Sequence, residues 1–282
     1  MRLPGNTLQL NWKPIMRKLI FAVMVAASTT ACGVSTQQEV QMGQEYSAQI
    51  NAQLPIVQDA EVNRYVNVLG DSIANLADNR GLDYHFFIVN AAEINAFAVP
   101  GGFVYVNRGL IDKSQNLSQL AGVLGHEIGH VVRRHSVKQM EKAQGANIGL
   151  VLGCTLINIC NNQAANAAIQ IGGSALFAKF SRDDERQADE EGVKNTIRAG
   201  ISPIGMPQMF QILLNERQSN PGAVEGWFAT HPGEEERIAR ANAMIAQYDP
   251  AIIKTLTVNS PRFNDFKARV RALPAPTTAS SR

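Results

Sequence analysis

Leu124-Gly125-His126-Glu127-Ile128-Gly129-His130-Val131 sits in a run whose apolar residues recur at helical spacing: Leu117, Leu120, Ala121, Leu124, Ile128, Val131 and Val132. The pattern predicts a long helix that starts near Asn116 or Ser118. On it, His126 and His130 stand four apart, so both imidazoles project from one face about a turn from each other. That spacing suits two ligands of a tetrahedral Zn²⁺. Glu127 lies between them, where a carboxylate reaches a metal-bound water and can act as a general base. Gly125 and Gly129 allow close backbone approach. The same five-residue pattern arises by chance on solvated helices, but here its flanks are apolar and the helix must be largely buried. Two buried imidazoles and a buried Glu with no metal would be costly.

A catalytic zinc site needs a third protein ligand and one open position. The best source is Ser181-Arg182-Asp183-Asp184-Glu185-Arg186-Gln187-Ala188-Asp189, in a charged helix predicted over about 182–199 with Gly200 as its stop. Glu185 and Asp189 are also four apart. One carboxylate can bind the metal while the other accepts the spare N–H of a liganding imidazole and fixes its tautomer. Alone, these residues read equally as a solvated face with i,i+4 pairs. Beside the two histidines, the ligand reading is the stronger.

Upstream, a helical pattern over about 37–53 ends at Pro55, and a second carries Val62, Tyr65, Val66, Leu69, Ile73 and Leu76. Tyr84 to Asn90 and Ile94 to Val99 read as strands, and Pro100-Gly101-Gly102 turns the chain into a third at Phe103 to Val106. An edge strand beside a metal cleft can bind an extended peptide by backbone pairing. Downstream of the central helix, the Gly-, Ala- and Asn-rich residues 145–178 suggest two small-residue helices packed as a hairpin. The alternative, a membrane-dipping hairpin, has too short an apolar run to span. Pro203 opens a helix to about Gln218, residues 220–233 read as a loop, and a last helix carries Glu234 to Gln247. His85 and His135 lie off the ligand face and read as structural.

The chain has 282 residues, a formal net charge of +2 and 18% charged residues. These values fit an ordinary globular protein and give no basic stripe for nucleic acid. Residues 1–31 read as a signal peptide: Arg17-Lys18, the apolar Leu19 to Ala27, then small residues up to Cys32. The charged pair suggests that Met16 is the true start. Small residues followed by Cys resemble the lipobox of bacterial lipoproteins, in which Cys32 would carry the lipid. A plain signal peptide or a membrane anchor, with Cys32 incidental, is the alternative. Gly33, where an Asp would retain the protein at the inner membrane, implies an outer-membrane destination facing the periplasm. There Cys154 and Cys160 can pair if a turn separates them; otherwise they are two buried apolar thiols.

Taken together, Asn95-Ala96-Phe97-Ala98 with Pro100-Gly101-Gly102, His126 to His130, Glu185 to Asp189, and Thr230-His231-Pro232 with Arg237-Ile238 resemble the HtpX-like and CAAX prenyl protease-like (Oma1-like) zinc metallopeptidases of the gluzincin type. The resemblance covers roughly residues 37–245. It implies an α+β, mainly α, zincin-like domain over 37–272 with a small sheet beside the active-site helix, after a lipidated linker at 32–36 and before a disordered tail at 273–282. It implies one Zn²⁺ per chain held by His126, His130 and Glu185, with Glu127 as base, Asp189 supporting a ligand, and His231 as donor near the scissile carbonyl. A resting form in which His231 closes on the zinc is a further possibility. No convincing transmembrane helix sets this chain apart from the membrane-embedded relatives. Unfolded or misassembled envelope proteins are the expected substrates, and a low-activity chaperone-like lipoprotein is the rival reading.

Overall fold

The computed structural model describes residues 33–143 and 179–276. Cys32, Cys154, Cys160, the signal segment, the hairpin expected over 145–178 and the end of the tail lie outside the described residues. Everything below belongs to one compact unit that begins at Ser35. It is mainly helical with one small sheet, as expected.

Two helices open the unit, α1 (Thr36–Gln53) and α2 (Ala60–Ala77). Ser35 starts α1 with a reciprocal capping box to Gln38, and Asp59 caps α2 by accepting from two backbone amides. Three strands follow: β1 (His85–Val89), β2 (Ala96–Val99) and β3 (Phe103–Asn107). The order is β1-β3-β2; β1 runs parallel to β3, and β2 runs antiparallel to it with Ala96 opposite Val106 and Val99 opposite Phe103. That order leaves β2 at an edge. Strand alternation splits the sheet between two apolar clusters. Phe86, Ile88, Val104 and Val106 join Val62, Val66, Leu69 and Ile73 of α2 in the main core. Val89, Val99, Phe103 and Tyr105 face Met42, Tyr46 and Ile50 of α1.

A short helix α3 (Arg108–Lys113) leads into α4 (Leu117–Val132), where Asn116 caps the first turn by accepting from the Gln119 amide. Every α4 residue from Leu117 to Val131 is buried, so it is the central helix of the domain. It packs on α5 (Arg182–Arg198), on α6 (Gly205–Ser219) and on α2. Glu39 of α1, fully buried, ties this frame together. It pairs with Arg80 at 3.1 Å and Arg134 at 2.7 Å and accepts from the Gly101 amide, while Arg80 also donates to the Val131 carbonyl at 2.9 Å.

Three expectations need correction. Residues 220–233 are not a plain loop: they hold a 3₁₀ turn (Pro221–Ala223) and a short helix α7 (Glu225–Thr230), fixed by the fully buried Val224 and Trp227. The helix from Glu234, α8 (Glu234–Ile245), is not the last, because α9 (Pro250–Thr255) and α10 (Pro261–Ala272) follow. Helix α10 buries Phe263, Phe266 and Val270, with Phe266 stacked on Tyr65 of α2 at 4.3 Å. The helix expected to open at Pro203 begins two residues later, at Gly205. Beyond α10, Arg108 donates to the Pro274 carbonyl at 2.6 Å.

Candidate metal centre

Small residues set the distance between α4 and α5. A Cβ on Gly129 would come within 2.7 Å of the Ala188 carbonyl oxygen, and one on Gly125 within 3.2 Å of the Gly192 Cα. The two helices therefore touch through their backbones, which brings His126 and His130 of α4 against Glu185 and Asp189 of α5. His231 arrives from a third direction, at the C-terminal end of α7, where Trp227 stacks on its ring at 4.4 Å. All five side chains are buried.

His126, His130, Glu185 and His231 form the group able to hold a metal ion among the described residues. Their donor atoms lie close together: His126 Nε2 is 3.0 Å from His130 Nε2 and 3.3 Å from His231 Nδ1. Glu185 Oε1 is 3.1 Å from His231 Nδ1 and 3.4 Å from His130 Nε2. Zinc bonds of about 2.0–2.1 Å, arranged tetrahedrally, put ligand atoms about 3.3 Å apart. Nitrogen and carboxylate donors at that spacing, in a buried site, fit zinc.

The surroundings orient these donors. Asp189 Oδ1 sits 2.9 Å from His126 Nδ1, so that ring can donate its proton to the carboxylate and turn Nε2 toward the other ligands. His130 makes the matching contact with His135, Nδ1 to Nδ1 at 2.9 Å, and His135 Nε2 lies 3.5 Å from Asp184. The expectation that His135 is off the site holds only for an unbroken helix. Arg134, at φ 58°, ends α4 and folds His135 back onto His130. Arg237 of α8 is the other residue whose role sequence spacing did not reveal. Its guanidinium grips Asp189 with Nε at 2.9 Å and Nη2 at 2.7 Å and reaches Glu185 Oε2 with Nη1 at 2.6 Å. His85, by contrast, lies in β1 with a half-exposed side chain and is not part of this group.

Glu127 faces the same cavity. Its Oε1 is buried without a hydrogen-bond partner, 3.7 Å from His231 Nε2, and the backbone of Ala98 in β2 lies near enough to favour the ionised carboxylate. Without a metal, burial pushes the Glu127 carboxyl up to about 7 and holds the His126 imidazole down to about 3. Burial would also raise Glu185 and Asp189, but the Arg237 guanidinium and the neighbouring imidazoles outweigh it and keep both ionised. Three carboxyl groups, Glu127, Glu185 and Asp189, thus share one guanidinium, an acidic surplus that a bound dication would offset.

Residues 58–245 match Peptidase family M48. The chain is 34% identical over 238 residues to the beta-barrel assembly-enhancing protease of Escherichia coli, covering 82% of this chain and 47% of that protein. It is 31% identical over 170 residues to Metalloprotease YcaL of Escherichia coli, covering 59% of this chain and 64% of the relative. To the mitochondrial metalloendopeptidase OMA1 of Arabidopsis thaliana it is 30% identical, over 62% of this chain and 35% of that one. The chain therefore spans about half the length of the beta-barrel assembly-enhancing protease it matches. The match covers the sheet, the central helix, α5 and α8, the elements that build the buried cluster, and the chain belongs to Peptidase family M48.

Proposed function

We propose that this chain is a zinc-dependent endopeptidase in which His126, His130 and Glu185 hold the metal and Glu127 is the general base. The observation that carries the reading is the spacing of 3.0–3.4 Å among buried donors, with an unpartnered Glu127 oxygen beside them. Bound there, Zn²⁺ supplies a Lewis acid for the scissile carbonyl and an acidified water. Glu127 would be the group to accept a proton from a water so acidified and to pass it to the leaving amine. Asp189 keeps His126 in the liganding tautomer.

His231 supports two roles. As a donor to the developing oxyanion it would lower the barrier by a few kcal/mol, about 3 by analogy with other such donors. The 3.1–3.3 Å distances from its Nδ1 to Glu185 and His126 favour the second, in which it closes on the metal as a fourth ligand at rest. If replacing His231 by Ala lowers activity under every condition and never raises it, the resting role is wrong.

Strand β2 offers the substrate its free edge, and Ala98 links that edge to Glu127. An extended peptide added to β2 would lie across the metal, with backbone pairing in place of strict sequence preference. That suits unfolded or misassembled envelope proteins as substrates, cut by an enzyme tethered through a lipid on Cys32 to the outer membrane. No helix among the described residues is long and apolar enough to cross a membrane. The deciding experiment measures zinc content and cleavage of an unfolded protein for wild type and Glu127→Ala. Loss of cleavage with zinc retained is expected. Equal cleavage in both would refute the role of Glu127, and zinc binding without cleavage in either would favour the chaperone-like alternative.

A further inference from the structure

Arg237 takes no part in the chemistry above, yet it is among the largest fully buried side chains. A buried cation is costly unless its partners use most of its donors. Here Nε and Nη2 make a bidentate pair with Asp189, Nη1 meets Glu185 Oε2 at 2.6 Å, and the guanidinium carbon lies 4.1 Å from the centroid of the buried Phe210 ring. Two carboxylates on successive turns of α5 and one aromatic face thus fix its plane.

The two oxygens of Glu185 have different surroundings. Oε1 has His231 Nδ1 at 3.1 Å and His130 Nε2 at 3.4 Å. Oε2 has the Arg237 cation at 2.6 Å and His126 Nε2 only at 3.5 Å. A carboxylate can give a metal one oxygen or both, and taking both would fill a position that a catalytic site must keep for water or substrate. An oxygen whose charge a guanidinium already offsets at this distance is the poorer donor to a second cation.

We propose that Arg237 is a positioning residue that retains Glu185 Oε2, so that Glu185 offers the metal Oε1 alone, while the same guanidinium locks Asp189 against His126. The inference rests on the metal-site reading above. A lysine cannot substitute fully, because a single ammonium lacks the planar fork that holds two carboxylates at once. A guanidinium present only to balance charge would leave the coordination number unchanged when replaced.

Cobalt(II) exchanged for zinc reports that number directly, since its visible d–d bands are intense when four-coordinate and weaken when a fifth donor is added. Wild type should give the intense spectrum, Arg237→Gln the weak one with kcat reduced more than KM is raised, and Arg237→Lys an intermediate. Wild-type spectrum and wild-type kcat in Arg237→Gln would overturn the proposal. X-ray absorption and crystallography on the zinc-loaded wild type test it even if that variant does not fold. One Glu185 oxygen at the metal with the other on Arg237 is expected, and two oxygens at the metal overturn it. Absence of metal binding by wild type in equilibrium dialysis would bring down the site reading itself, and this inference with it.

Discussion

Replacing Gly129 by Ala tests whether backbone contact between α4 and α5 builds the site. The new Cβ would lie 2.7 Å from the Ala188 carbonyl oxygen and 2.9 Å from its Cα. Ordinary contact needs about 3.4 Å or more, so the helices must part by roughly 0.5–0.7 Å, and neither atom is a flexible side-chain end that can give way. Overpacking of this kind costs about 1–3 kcal/mol. The better helix propensity of Ala returns up to about 1 kcal/mol. The net expectation is about 1–2 kcal/mol lost, or a fall in Tm of roughly 2–8 °C for a domain of this size. Function should suffer more than stability. Metal ligands tolerate about 0.2 Å of displacement, and α5 carries Glu185, so zinc affinity should fall at least about tenfold. Urea unfolding of the metal-free protein and chelator competition for zinc measure the two effects. Gly125→Ala, whose nearest contacts are 3.2 Å, should be milder, and Gly222→Ala, with nothing within 4 Å, should be neutral. If Gly129→Ala unfolds and binds zinc like Gly222→Ala, the close approach does not hold the site.

Trp227→Ala should cost about 3–5 kcal/mol, as for other buried aromatics, and should also free His231, whose ring it stacks upon; unchanged metal affinity alongside that loss would separate His231 from the site. Metal-free protein should respond to acid in two stages. His126 binds its proton only near 3 when folded but near 6.5 when unfolded, so its contribution is lost as pH falls through that window. Glu127 works in the opposite sense between about 7 and 4.5, where the folded state binds the proton first. Stability should therefore stay nearly level down to about pH 4.5 and fall steeply below it, where Glu185 and Asp189 also lose their ion pairs on protonation. Glu127→Gln should remove the offset and steepen the upper stage by up to about 1.4 kcal/mol per pH unit; identical pH profiles for the two proteins, measured by chemical unfolding, would contradict this.

The parts of the site visible in the sequence were those set by helical geometry. His126, Glu127 and His130, and likewise Glu185 and Asp189, are related by spacings that any α-helix turns into a shared face. The strands were visible because they are dense in aromatic and β-branched residues, as both faces of the sheet are covered by apolar clusters. What escaped depends on contacts without a local period. Arg237 meets Asp189 and Glu185 across 48 and 52 residues, and nothing in its own helix requires it. His135 reaches His130 only because Arg134 adopts a left-handed conformation that non-glycine residues seldom take. Helix α7 is one and a half turns long between Pro and Gly signals, and it forms around Val224 and Trp227, which pack into the core from a distance in sequence. Helix α10 did carry signals, Ser260 as cap and Pro261 at the first position, but its outer face is so polar that its amphipathic pattern is faint.

The buried carboxylate of Glu39 limits how far the amino-terminal end can be trimmed to make a handling-friendly protein. A polypeptide starting at Ser35 keeps the capping box and the full first helix. One starting in the middle of that helix would leave Arg80 and Arg134 without the anion they share, next to the last turn of the helix that carries His126 and His130. Loss of protease activity after such a deletion would then report a collapsed support at Val131 and Gly101, and should not be read as evidence that the first helix touches substrate.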